Sequence, residues 1–137
     1  MNKSTLLPLL LALAITTTGS SITHAGTTQS LIKGCSFAKR VLAGETDLSL
    51  EQHIFASYCL GFVEGYIGSW ATQDALLKRE HQKGWPLCFR PASVGEDETR
   101  EAIYAFSRHV EQNPAALHEP AAIVLGMAII EHFACEE

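Results

Sequence analysis

A chain of 137 residues with ten Lys and Arg against fifteen Asp and Glu has room for one domain and a net charge of −5. That sign argues against nucleic acid, which asks for a basic face. It suits steering toward a basic partner.

Residues 1–25 read as a signal peptide. Lys3 gives a positive start, Leu6 to Ile15 is an apolar run, and Thr23-His24-Ala25 offers the small residues a signal peptidase accepts. The run is too short to span a bilayer as a stable helix. A membrane-tethered start is the alternative. The remaining domain, residues 26–137, keeps nine Lys and Arg against fifteen Asp and Glu, a net charge of −6. It is expected to be exported, with no membrane attachment after cleavage.

A first helix is expected over Thr27 to Leu42. Leu31, Cys35, Ala38 and Leu42 mark one face, and Gly44 is placed to end it. Ser49, with Gln52 three residues on, forms a capping box for a second helix from Leu50 to about Glu80. This second helix has two unlike faces. Phe55, Cys59, Phe62, Val63, Tyr66, Ile67 and Trp70 make an apolar stripe at spacings of three and four. Gly61, Gly65 and Gly68, with Ser57 and Thr72, make a smooth face. Each interior glycine costs about 1 kcal/mol relative to alanine, so another backbone is expected against Gly61, Gly65 and Gly68. Either a neighbouring helix of the same chain or a subunit interface would supply it.

His81 to Gly95 is broken by Gly84, Pro86, Pro91 and Gly95 and reads as a loop. Cys88 sits among Trp85, Leu87 and Phe89 and pins it down. A third helix begins near Glu96. Glu96, Asp97 and Glu98 fill the first turn, where the helix dipole favours negative charge. Ile103, Phe106 and Val110 form its core face, backed by Ala102, and Pro114 ends it by disfavouring helical geometry at Asn113. A tight connection over Ala115 to Glu119 leads to Pro120, which suits the first turn of a fourth helix reaching about Phe133. Ile123, Val124, Leu125, Met127, Ile129, Ile130 and Phe133 make that helix apolar nearly all round, which places it in the bundle centre and in the glycine groove. The fold class is all-α: a compact four-helix bundle, five with a short extra helix, stapled by disulfides.

Cys35, Cys59, Cys88 and Cys135 all fall in the exported domain, where an even count means two disulfides. The midpoint of Cys35 and Cys59 lies in the turn between the first two helices. The midpoint of Cys88 and Cys135 lies close to the Asn113-Pro114 break. Antiparallel hairpins bring each pair level, so Cys35–Cys59 and Cys88–Cys135 are the expected bridges.

No catalytic constellation is present. His53, His81, His109, His118 and His132 lack partners at metal-ligand spacing on their own helices; His118 could join His109 across the turn between the third and fourth helices, a single pair, and the histidines read as surface residues. Neither a cofactor nor a metal is expected, and the pattern points to a binding protein, not an enzyme. Its interface is expected to combine Lys83, Trp85, Pro86 and Leu87 with Glu96, Asp97 and Glu98 and with the tip from Asn113 to His118.

The run Cys59-Leu60-Gly61-Phe62-Val63-Glu64-Gly65-Tyr66-Ile67-Gly68 adds a further indication. Taken with Cys88-Phe89-Arg90-Pro91, Val110-Glu111-Gln112-Asn113-Pro114, Leu117-His118 and Phe133-Ala134-Cys135, it resembles the Rap/Tai family. Arg90 and Ala134 depart from that family's pattern, which favours proline near the third cysteine and before the last. The resemblance implies a periplasmic immunity protein, often a homodimer. Such a protein binds a cognate type VI secretion peptidoglycan amidase effector and occludes its papain-like active site. A small periplasmic helical acid-stress chaperone is the alternative from another class.

Overall fold

The structure is a computed structural model that describes residues 26–84, 87–88 and 96–135. Four helices run in order: α1 over Thr28–Leu42, α2 over Leu50–Arg79, α3 over Glu96–Gln112 and α4 over Ala121–Phe133. The short extra helix also exists, as a 3-10 turn over Pro114–His118 before α4. Local signals explain the boundaries. The Thr27 hydroxyl accepts the Ser30 N–H at 3.3 Å and caps α1. Gly44 follows α1 with φ 84°, a left-handed conformation suited to glycine. At α2, the Ser49 hydroxyl accepts the Gln52 N–H at 3.3 Å and the Gln52 side chain accepts the Ser49 N–H at 2.8 Å, so the capping box is closed.

α1 is the central element. It touches α2, α3, α4 and the 3-10 helix, and Thr28, Leu31, Cys35 and Ala38 are fully buried along it. Thr28 ties its start to the segment before α4: both its N–H and its hydroxyl donate to the Glu119 carbonyl, at 3.3 and 2.8 Å. Ile103, Phe106, Val124, Leu125 and Ile129 complete the core from α3 and α4. Burying each such side chain contributes roughly 1.5–3 kcal/mol relative to exposure.

Two expectations about packing within the chain are corrected. Gly61, Gly65 and Gly68 face open space, and no neighbouring atom would lie within 4 Å of a Cβ built on any of them. Gly34 on α1 makes the close approach instead: a Cβ there would stand 2.7 Å from the Phe55 carbonyl oxygen of α2. Nor does α4 occupy the bundle centre or the glycine groove. Its buried residues lie on one side, while Ile123, Met127 and Ile130 are 55%, 40% and 50% exposed on the other. These three recur at i, i+4 and i+7 and form one stripe. α4 approaches α2 where the Tyr66 hydroxyl lies over Gly126.

The expected apolar stripe of α2 divides in two. Cys59, Val63 and Ile67 are buried, whereas Tyr58, Phe62, Tyr66 and Trp70 form a half-buried ladder with ring centroids 6.0–6.5 Å apart. Beyond Ile67, no residue of α2 is buried. Its last twelve residues therefore overhang the core by about 18 Å at 1.5 Å per residue.

Candidate functional site

Both disulfides form as the hairpin geometry predicts. Cys35–Cys59 joins α1 to α2 with a Cα–Cα distance of 5.1 Å, and both residues are fully buried. Cys88–Cys135 joins the segment before α3 to the end of α4, with a Cα–Cα distance of 5.0 Å. Here Cys88 is exposed and Cys135 half-buried. The Cys88 N–H donates to the Phe133 carbonyl at 2.8 Å, and Leu87 pairs antiparallel with Ala134. With all four cysteines bonded, no thiol is available for nucleophilic chemistry.

The expected partner-binding residues separate on the surface. Lys83, Asp97, Asn113 and His118 are exposed. Leu87 is half-buried and packs against the core. Glu98 is 5% exposed, so it cannot belong to an open acidic triplet. Helical periodicity explains this: Glu98 precedes Ala102 and Ala105 by four and seven positions and shares their inward face. Trp85 and Pro86 lie outside the described residues, as does the Glu96 side chain. Asn113 donates from its side chain to the His109 carbonyl at 3.0 Å, closing the end of α3.

Between α3 and α4 runs a polar groove. One cavity of about 220 Å³ is lined by Asp97, Glu98, Glu101, His132, Phe133 and Cys88. A second of about 230 Å³ continues past His132 to Glu131, His109, Arg108 and Gln112. Each is smaller than the roughly 300–1,000 Å³ of a small-molecule site. Three carboxylates face the first cavity, which favours a basic contact over an acidic one.

His109 is not a surface histidine. It is 7% exposed, and its Nδ1 lies 2.9 Å from the Glu131 carboxylate on α4. His132 Nε2 stands 3.8 Å from Glu101 on α3, so two histidine–carboxylate pairs cross the groove in opposite directions. Sequence reasoning compared each histidine with acids on its own helix and so missed partners 22 and 31 positions away. Among the described residues, no group of three or more His, Cys, Asp or Glu is placed to hold a metal ion. Burial raises the Tyr58 hydroxyl above its ordinary pKa of 10.0.

A family model for Rap1a immunity proteins matches residues 27–135, from the cap of α1 to the last cysteine. The chain belongs to the Rap1a immunity protein family. Immunity proteins of this kind protect against type VI secretion effectors, and the family is not catalytic. No curated protein and no solved structure matches the chain. The match takes in all four helices and both bridges of this family member, so the whole described fold carries the assignment. No helix among the described residues is long and apolar enough to cross a membrane.

Proposed function

We propose that this immunity protein is exported to the periplasm and there neutralises a peptidoglycan amidase effector by covering its active site. The observation that carries the reading is the family match over residues 27–135. The net charge of −6 after leader removal and the carboxylate-lined end of the α3–α4 groove support a basic effector surface. In this reading Lys83, Leu87, Asp97 and Glu101 contact the effector on one side, and the tip from Asn113 to His118 on the other.

A second copy docks on α4. Ile123, Met127 and Ile130 present an apolar stripe without a charged residue between them, which favours pairing with a like surface. The stripe and the neighbouring rungs of the α2 ladder cover a face about 20 Å wide and at least 20 Å long from helix dimensions. Two copies would bury on the order of 800 Å² together at that minimum length, the size of a small, weak pair.

The test pairs purified protein with the amidase encoded beside it. Tight 1:1 binding and loss of peptidoglycan cleavage are expected, and protection of cells only when the leader is kept. Cleavage undiminished by saturating protein would overturn the amidase reading. Ile130→Glu is expected to yield a folded monomer by light scattering. A dimer unchanged by Ile130→Glu would move the interface elsewhere.

A further inference from the structure

The two disulfides differ in a property that decides their chemistry. Thiol–disulfide exchange needs a thiolate to reach a sulfur along the S–S axis, so access sets which bridge reacts. Cys35 and Cys59 are both fully buried between α1 and α2, where Gly34 holds the helices in contact. Cys88 is exposed and lines the first cavity, and its partner Cys135 is half-buried at the end of α4. We propose that Cys88–Cys135 is a redox-sensitive strap, opened by a dithiol reductant while Cys35–Cys59 and the helical core stay intact.

The exchange balances without further reagents. One thiolate of the dithiol attacks the sulfur of the exposed residue Cys88 and forms a mixed disulfide, and Cys135 leaves as a thiolate. The second dithiol sulfur then attacks its own partner in the mixed disulfide and expels Cys88. Two electrons and two protons pass to the cysteines, which end as thiols, and the dithiol ends as its disulfide. Asp97, Glu98 and Glu101 face the same cavity, so a neutral or basic reductant approaches more readily than an anionic one.

Opening the strap removes the covalent tie between the two walls of that cavity. What remains there is the Cys88 N–H to Phe133 hydrogen bond and the Leu87–Ala134 pairing. Each such bond is worth only about 0.5–1.5 kcal/mol net, so Cys88 loosens from α4 while half-buried Leu87 keeps its packing against the core. The core contacts of Ile103, Phe106, Leu125 and Ile129 lie further inside and do not depend on the strap. Since Lys83, Leu87, Asp97 and Glu101 belong to the effector contact proposed above, the strap sets that surface, and this half of the inference rests on that reading. The immunity protein is then competent only once the strap has been oxidised.

Graded reduction of the full folded protein tests the first half. Samples treated with dithiothreitol are quenched with iodoacetamide and mapped by peptide mass spectrometry. Cys88 and Cys135 are expected to alkylate at roughly a tenfold lower dithiol concentration than Cys35 and Cys59, with the helical circular dichroism unchanged. Simultaneous alkylation of all four, or earlier alkylation of Cys35 and Cys59, overturns the proposal. The second half is read on the adjacent amidase, with the strap-reduced, alkylated protein compared with the oxidised protein. A roughly tenfold or greater loss of affinity is expected, about 1.4 kcal/mol. Equal affinity of the two forms overturns the gating role. Failure of the oxidised protein to bind the amidase would instead remove the functional reading, and the strap would still stand or fall on the alkylation order. The Cys88→Ser, Cys135→Ser double variant is expected to behave as the reduced form without any thiol chemistry.

Discussion

The α1–α2 hairpin and the α3–α4 hairpin each close with one disulfide, but they are built from different materials. In the first, Gly34 brings two backbones together, the sulfurs are buried and the contact is apolar. In the second, the sulfurs sit at a surface, histidine–carboxylate pairs cross a groove and one face of α4 is bare. The contrast separates a hairpin closed by a buried apolar contact from one that feeds the same core but keeps polar and apolar surface open.

The largest effect is expected from the bridges. Loop entropy alone ranks Cys88–Cys135 slightly higher, at about 4 against about 3.5 kcal/mol, because its sequence separation is 47 rather than 24. Burial reverses the order, because removing two core sulfurs also leaves cavities that the exposed site does not. The Cys35→Ala, Cys59→Ala variant is therefore expected to lose more stability in urea unfolding than the Cys88→Ala, Cys135→Ala variant. The opposite ranking would break the contrast between the hairpins.

Glycine substitutions come next. Gly34→Ala places a methyl against the Phe55 carbonyl, and backbone cannot rotate away as a side chain can. A net loss of about 2 kcal/mol is expected from overpacking, partly offset by helix propensity. Gly61→Ala meets nothing and is expected to gain up to about 1 kcal/mol. The same chemical change on adjacent helices is thus expected to carry opposite signs in thermal melts. Matching signs would mean that the Gly61 face is covered in solution.

Smaller effects belong to the polar half. His109→Ala empties a buried site and is expected to cost about 1–2 kcal/mol. Glu131→Gln removes only an exposed charge, 64% accessible, and is expected to cost under about 1 kcal/mol. A double-mutant cycle measures their coupling. The least effect concerns Tyr58, whose proton is held more tightly in the folded state because burial penalises the charged form. That stability is complete below the unfolded value of 10.0 and declines as pH rises through the higher folded value. Tyr58→Phe is expected to flatten this part of the alkaline stability profile.

Much of the framework was legible because it is local. Ser49 and Gln52 announce a helix start through atoms three residues apart, and antiparallel hairpins place each cysteine beside its partner. Glu98 was misjudged because a first-turn acid was read as charge for the dipole, although its helical position faces the core. The same-chain neighbour expected at Gly61, Gly65 and Gly68 failed for a related reason. Their period shows that they share a face, but no period says which neighbour lies there. Gly34 carries the real contact and has no repeat to reveal it.

The sequence by itself determined the helices, their order, the two bridges and the family, because caps and breakers act over a few residues, hairpin turns halfway between paired cysteines set them level, and the family motifs are read in order along the chain. The tertiary structure alone decided that α1 is central, that His109 meets Glu131 and that one bridge is buried while the other faces water. Those outcomes depend on how helices turn about their axes when they pack, and residues far apart in the chain settle that rotation together.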